Sequence, residues 1–244
     1  MDQQTIIGLR PCLEAMRSGR DMERVYLRKG LQGELYLELF QLIREGGIPF
    51  QFVPPEKLNR ISRKNHQGVI AITSVVGYQP VEEVVTRLFE QGLDPFVVVL
   101  DQVTDVRNLG AIARSAEASG AHVLLIPERG SAQINEDAIK TSAGALNLIQ
   151  VCRSRDLART IGLLKASGLT IIGATEKAAE PYFAQQMKGP VALVVGSEEH
   201  GISVEIARLC NHLVKIPMYG KVGSLNVSVA AGILLFEISR QRNG

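Results

Sequence analysis

Three groups of residues have types and spacings suited to chemistry. Asn108, Gly110 and Arg114 follow an apolar run ending at Leu100-Asp101; Gly196-Ser197-Glu198-Glu199-His200-Gly201 follows Val191–Val195; Gly220, Gly223, Ser224 and Asn226 follow Leu213–Ile216. Amides, hydroxyls and carboxylates crowded into turns just past buried strands are groups able to bind and orient a polar ligand. An open α/β sheet takes its ligand at the carboxyl ends of its strands, so three such turns in one domain predict a single composite pocket. Each turn also has a purely structural account. Asn108 serves equally as a helix N-cap with Arg114 solvated near Glu117, residues 196–201 as an exposed loop, and Ser224 as a second N-cap.

The elements that must position these turns alternate strand and helix almost throughout, which predicts α/β architecture with a largely parallel sheet. In the front part the pattern gives helices at Leu9–Arg17, Glu34–Glu45 and Glu56–Ile61 and strands at Arg24–Arg28, Pro49–Val53 and Val69–Val75. Residues 77–94, opened by Gly77 and Pro80 and closed by Gly92 and Pro95, read as a connector with room for one helix. The domain plan is therefore 1–76, a linker over 77–94, and 95–244. Strands are expected in the last part near Val97–Leu100, Val123–Ile126, Leu148–Val151, Leu169–Gly173, Val191–Val195 and Leu213–Ile216. Leu109, Ile112, Ala113 and Ala116 form a core-facing helical stripe that leaves Arg114 aside. The last helix, Leu225–Ser239, is apolar at Leu225, Val229, Ile233 and Phe236 and also at Val227, Leu234 and Ile238, a pattern that fits burial against a second chain.

Composition narrows the function classes. The chain has 244 residues, is 45% hydrophobic and carries a net charge of +2, enough for a packed core but too little charge to announce nucleic acid. The charge is uneven: residues 1–76 hold 11 Lys and Arg against 8 Asp and Glu, leaving 16 against 17 of the 27 and 25. Cys12, Cys152 and Cys210 are odd in number and far apart, which fits buried thiols rather than disulfides or zinc ligands. No apolar run reaches bilayer length and the start, MDQQTIIGLRPCLEAM, lacks a signal-peptide layout, so no membrane association and a cytoplasmic address are expected. Dinucleotide, P-loop, zinc-protease and nucleophile-elbow motifs are all missing from the sequence, and its four His are scattered, so no metal site is expected.

Taken together, N-L-G-A-I-A-R at 108–114, V-V-G-S-E-E-H-G at 194–201 and I-P-M-Y-G-K-V-G-S-L-N-V-S-V-A-A-G at 216–232 resemble, in order and spacing, the three motifs of the SpoU/TrmH family of RNA ribose 2′-O-methyltransferases. IIGLRPCLEAM at 6–16 and HQGVIA at 66–71 are similar to the amino-terminal substrate-binding domain of its ribosomal branch, so the resemblance covers the whole chain. It implies a carboxyl-terminal domain of the trefoil-knotted SPOUT type and a small amino-terminal L30e-like domain that binds RNA. The knot is a topology no periodicity would propose. It further implies S-adenosylmethionine as methyl donor, held by Gly196, Ile216 and Leu225 with Met218 nearby, and a homodimer paired through the carboxyl-terminal domains.

Carried over by position, the family's catalytic arginine is Arg114, with Asn108, Glu198, Ser224 and Asn226 as the other motif residues. The reaction implied is 2′-O-methylation of a guanosine ribose in 23S ribosomal RNA, in the peptidyl-transferase P loop region. A transfer-RNA or resistance-type ribose methyltransferase and a non-catalytic RNA-binding assembly factor are the alternatives. Because guanidinium stays protonated, Arg114 is expected to grip substrate phosphate rather than act as a base. For RNA binding by the front domain, Arg60, Arg63, Lys64, His66 and Gln67 in RISRKNHQG at 60–68 are the candidates, against the plainer reading of a solvated basic loop. One departure stands out: where the family commonly has proline between the first motif's aspartate and asparagine, this chain has Val106, and a less rigid loop is expected.

Overall fold

Long runs of β-branched and aliphatic residues, FVVVL at 96–100 and VALVV at 191–195, are buried along their whole length, as strands covered on both faces must be. They sit at the centre of the larger of two sheets in the computed structural model, which describes residues 5–244. The first four residues, part of the stretch read for a leader, lie outside the described residues. The chain divides into a unit ending at Gly77 and a unit of Tyr78–Gln133 and Asp137–Gly244.

The front unit runs β1 (Thr5–Ile7), α1 (Leu9–Arg17), β2 (Met22–Arg28), α2 (Glu34–Glu45), β3 (Phe50–Val53), α3 (Pro55–Ile61) and β4 (Val69–Thr73). Its sheet has the order β1-β4-β2-β3 and is mixed, not parallel: β4 pairs antiparallel with β1 and β2, and only β2 and β3 run together. Cys12 and Leu13 of α1 and Leu39 and Ile43 of α2 pack on Val25, Leu27, Val69 and Ala71, while Leu58 of α3 packs with Val53 and Ile70 in a separate cluster. Strand β1 was not legible because three residues are too few to show a period.

The second unit runs β5 (Tyr78–Gln79), α4 (Val81–Glu90), β6 (Phe96–Leu100), α5 (Val106–Ala118), β7 (Val123–Pro127), α6 (Glu136–Thr141), β8 (Gln150–Ser154), α7 (Leu157–Ala166), β9 (Thr170–Ala174), β10 (Glu180–Pro181), β11 (Val191–Val195), α8 (Val204–Leu209), β12 (His212–Lys215) and α9 (Val227–Asn243). Its eight strands are all parallel, in the order β10-β12-β9-β11-β6-β7-β8-β5. The stretch expected as a connector is built into this unit: β5 pairs with β8, and Val81, Val84, Val85 and Leu88 of α4 join the core with Val97, Val123 and Ile171. Its glycines and prolines mark the ends of a packed helix rather than a hinge.

Two other boundaries moved for local reasons. Strand β8 starts at Gln150 because Ala145–Asn147 form a 3-10 turn that leaves Leu148 exposed before the strand begins. Helix α9 starts at Val227, capped by Asn226, and continues past Ser239 to Asn243 because no proline or glycine follows Ser239 until Gly244.

Strand order fixes where a ligand belongs. From β6 the chain moves outward to β7 and β8, whereas from β11 it moves the other way to β12. Neighbouring parallel strands whose connections diverge leave a crevice at their carboxyl ends. Here the divergence falls at β6 and β11, and the cavity beside it opens at the carboxyl ends of β9, β11 and β12.

Candidate functional site

The turn after β6 begins with Asp101, whose N–H donates to Val195 O (2.8 Å) and whose Oδ2 accepts from Ser203 N–H (2.7 Å). A buried carboxylate is costly unless hydrogen-bonded, and at 4% exposure this one ties the first turn to the second. Gln102 follows with φ 60, a left-handed conformation uncommon for a residue with a side chain and typical of turns held by their surroundings. Asp105 then caps α5, accepting from the N–H groups of Arg107 (2.6 Å) and Asn108 (3.2 Å). Asn108 is therefore not the cap, and its side chain is available elsewhere. Val106 occupies the first helical position, where proline is favoured because no helix bond uses that N–H. The cap survives its replacement, so the loop keeps its anchor.

Leu109, Ile112, Ala113 and Ala116 are buried as their spacing predicted. Gly110 has a reason of its own: a Cβ there would lie 2.7 Å from Thr141 Cβ and 2.9 Å from Ala138 O, so only glycine lets α6 approach α5. Arg114 lies on the exposed face of α5, and among the described residues no hydrogen bond or ion pair is found for it.

After β11 the chain closes a tight loop. Ser197 N–H donates to Gly201 O (3.1 Å), Gly201 N–H to Ser197 O (2.9 Å), and His200 N–H to Ser197 Oγ (3.1 Å). A Cβ at Gly196 would stand 2.0 Å from Gly201 C and 2.2 Å from Ile202 N, so this strand end requires glycine for close approach.

The third turn is joined to both others through one side chain. Asn226 Oδ1 accepts from Ser228 N–H (2.9 Å), Val229 N–H (3.4 Å) and Ser228 Oγ–H (2.5 Å), capping α9. Its Nδ2 donates to Asn108 Oδ1 (3.0 Å) and to Glu198 Oε1, and Glu198 Oε1 also accepts from Val227 N–H (3.4 Å). Asn226, not Ser224, is thus the N-cap of α9, and Asn108, Glu198 and Asn226 form one hydrogen-bonded cluster from three separate turns. Ser224 stands outside it, on the wall of the adjoining cavity.

That cavity, of about 560 Å³, is lined by all four residues expected to hold a cofactor, Gly196, Ile216, Met218 and Leu225, and also by Glu198 and Ser224. Its volume lies within the usual range for small-molecule sites. Val195, Val214, Ile216 and Leu234 make part of the wall apolar, and three carboxylates, Glu176, Glu198 and Glu199, outnumber the one lysine, Lys177. Such a set fits a ligand with a flat apolar base and a cationic centre, as S-adenosylmethionine is. Sequence reading missed the fourth wall, Ala174–Lys177, which is held by a Thr175 N–H to Val214 O bond (2.9 Å). The signal was there: LTIIGA at 169–174 ends in Thr-Glu-Lys, the same plan as the other three turns. Asn108 and Arg114 lie outside the cavity wall.

No cysteine is poised as a nucleophile. Burial pushes Cys12 and Cys152 up to about 12 and half-buried Cys210 up to about 11, so thiolate is scarce at neutral pH. Among the described residues no cluster of three or more His, Cys, Asp or Glu could hold a metal, and no helix is long and apolar enough to cross a membrane.

In the front unit the two stretches singled out, 6–16 and 66–71, are one structure. Gln67 Oε1 accepts from Leu9 N–H (3.3 Å) at the start of α1, and Gly8 N–H donates to Val69 O (3.0 Å). His66 Nδ1 accepts from Gly68 N–H (3.0 Å), which leaves the ring proton on Nε2 to donate to Asn59 Oδ1 (3.0 Å). His66 and Gln67 therefore hold the loop, while Arg60 at the end of α3 and Arg63 and Lys64 on the loop are exposed.

Comparison with known proteins gives two family matches, to the SpoU rRNA Methylase family over residues 95–236 and to the RNA 2'-O ribose methyltransferase substrate binding family over residues 5–79. The chain is 35% identical over 238 residues to a putative TrmH family tRNA/rRNA methyltransferase, YacO, of Bacillus subtilis, covering 98% of this chain and 96% of that one. It is 39% identical over 228 residues to the 23S rRNA (guanosine-2'-O-)-methyltransferase RlmB of Photorhabdus laumondii, covering 92% and 93%. An AdoMet-bound rRNA methyltransferase from Sinorhizobium meliloti superposes with a TM-score of 0.61 at 25% identity, over 98% of this chain and 87% of that one.

Proposed function

The chain belongs to the SpoU rRNA methylase family, and we propose that it transfers a methyl group from S-adenosylmethionine to the 2′-hydroxyl of a guanosine in the peptidyl-transferase P loop region of 23S ribosomal RNA. The observation that carries the reading is the Asn108–Asn226–Glu198 cluster, which sits beside a cavity of the right size and chemistry for the donor. The likeness to a guanosine 2'-O-methyltransferase of 23S rRNA supports the target.

The donor supplies a methyl group already activated on a sulfonium centre. The protein's share is to bring a ribose oxygen into line with it, which lowers the barrier by proximity. Asn226 fixes Asn108 through its amide while its own oxygen is spent on the helix cap, so the Asn108 amide nitrogen is left to meet the ribose. Glu198 is engaged by Asn226 and Val227 and acts as a positioning residue rather than a proton acceptor. Ser224, on the cavity wall, shapes the donor side. Arg114 holds substrate phosphate and steadies the developing negative charge on oxygen, since a guanidinium is a poor base; the hydroxyl proton passes to solvent water as the C–O bond forms and the methyl–sulfur bond breaks, leaving the donor as a neutral thioether.

The front unit binds the RNA through Arg60, Arg63 and Lys64, with Arg28 beside Gly68 and Arg10 beside the Gln67-capped start of α1 extending the basic rim. It has the L30e-like role expected of the family's substrate-binding domain. A cytoplasmic homodimer with a trefoil knot in the second unit completes the reading. Pairing is supported by Val229 and Phe236, seven residues apart on α9 and 51% and 54% exposed. The knot is supported by β12 lying beyond β9 before the chain returns to Asn226 beside Asn108.

The test supplies labelled S-adenosylmethionine and total unmodified RNA and maps the labelled nucleotide. Label on a guanosine ribose of 23S RNA is expected. Label on transfer RNA would move the target, and label on a base or none at all would overturn the reading. With Arg114→Ala, transfer should fall while donor binding persists; transfer unchanged in both Arg114→Ala and Arg114→Lys would remove Arg114 from the chemistry.

A further inference from the structure

We propose that Tyr219 is the platform on which a base of the substrate RNA stacks at the mouth of the donor cavity. The inference rests on the RNA-methylating function proposed above. Met218 lines the cavity on one side of Tyr219, and Gly223, Ser224 and Leu225 line it on the other. The tip Tyr219–Val222 therefore projects from a loop whose two ends are both walls of the site. Tyr219 is 93% exposed and Val222 70% exposed, so the ring gives nothing to the core and has its faces open.

Met218, Tyr219 and Val222 are exposed together on this one loop, and a grouped apolar surface beside a cavity, unlike a single scattered residue, marks a binding site. Other aromatics reach the surface, but Phe183 and Phe236 are 58% and 54% exposed against 93% for Tyr219. A nucleotide whose ribose reaches the Asn108–Asn226 cluster has its base unstacked from its neighbours. Aromatic side chains replace that lost stacking in a way that tolerates any base, because every base has a π-face. Lys221, two residues on, supplies a cation for the adjoining phosphate. The occupant is thus a single-stranded or everted ribonucleotide, whereas a second copy of the chain has its own apolar face on α9 at Val229 and Phe236.

The experiment compares wild type, Tyr219→Ala and Tyr219→Phe in methyl transfer to unmodified ribosomal RNA, with calorimetric titration of S-adenosylmethionine and sedimentation velocity alongside. A stacked base corresponds to about a 5- to 150-fold change, so Tyr219→Ala should raise KM for RNA by that factor with kcat little changed. Tyr219→Phe should stay within about twofold, since the ring is kept. Donor affinity and oligomeric state should not move in either variant. A wild-type KM in Tyr219→Ala would overturn the proposal, as would a Tyr219→Phe variant as weak as Tyr219→Ala, which would assign the effect to the hydroxyl. Dissociation of Tyr219→Ala would assign the tip to a second copy, and a parallel loss of donor affinity would assign it to the cavity wall. Wild-type protein that methylates no RNA would refute the proposed function and this inference with it.

Discussion

Asn226→Asp is the sharpest probe of the site because it separates two jobs performed by one side chain. The substituted carboxylate still accepts from Ser228 and Val229 N–H, at 2.9 and 3.4 Å in the native chain, so the helix cap, worth about 1 kcal/mol, is kept. What is lost is the Nδ2 donor to Asn108 Oδ1 and Glu198 Oε1. An amide bond to a carboxylate is worth about 1.5–3 kcal/mol, and the lower end applies at this exposed position. Two carboxylates about 4 Å apart repel by about 1 kcal/mol in water. The organised arrangement of the three turns should therefore be disfavoured by about 2–3 kcal/mol, or roughly 30- to 150-fold. In steady-state methyl transfer this appears as a loss of that size in kcat/KM, with a much smaller change in thermal stability because the cap and the sheet are untouched. Adding Glu198→Gln returns a donor to the pair and should recover most of the loss. A double variant no more active than Asn226→Asp alone would refute the claim that the Glu198–Asn226 hydrogen bond organises the site.

Other predictions follow from single observations. Val106→Pro should stabilise the protein by about 0.4–1 kcal/mol in chemical denaturation, because Val106 is the first residue of α5 and Asp105 before it is already extended, at φ −84 and ψ 125; destabilisation would mean the Val106 N–H is in use. Neutralising Arg63 and Lys64 together with serine should weaken RNA binding and reduce the slope of log affinity against log salt by roughly 1.4, while S-adenosylmethionine binding by calorimetry is unchanged; an unaltered slope would remove the loop from the interface. His122 Nδ1 accepts from Phe96 N–H (3.0 Å), and burial, with Arg242 nearby, lowers its pKa below the usual 6.5. The unfolded chain then takes up the proton first, so this stability is fully present above about pH 6.5 and is lost as pH falls through that value towards the folded pKa. Replacing His122 with Gln, which can still accept from Phe96, should flatten the fall of the unfolding free energy as pH drops below about 6.5.

Much of the fold is legible in local pattern. Leu9–Arg17, Glu34–Glu45 and Val191–Val195 fall where periodicity places them, because an amphipathic helix or a buried strand is decided by its own residues. Short elements escape this rule. Strands β1, β5 and β10 contain two or three residues each and exist only through their partners. The same reason turned the expected connector into α4: the stripe Val81, Val84, Val85 and Leu88 is apolar, but nothing local says which sheet it covers. Asn108 and Ser224 illustrate the limit at the site, since both suit an N-cap by type, yet the caps are Asp105 and Asn226.

By itself the sequence determined the elements, the polar turns that end them and, through three ordered motifs, the family and its chemistry. Tertiary structure alone decided that Asn108, Glu198 and Asn226 are one hydrogen-bonded cluster, that Ala174–Lys177 forms a fourth wall of the adjoining cavity, and that Tyr219 is left bare at its edge. The physical reason is range. Caps and periods act over a few residues, whereas Asn108 and Asn226 are 118 residues apart and meet only because α9 packs against α5.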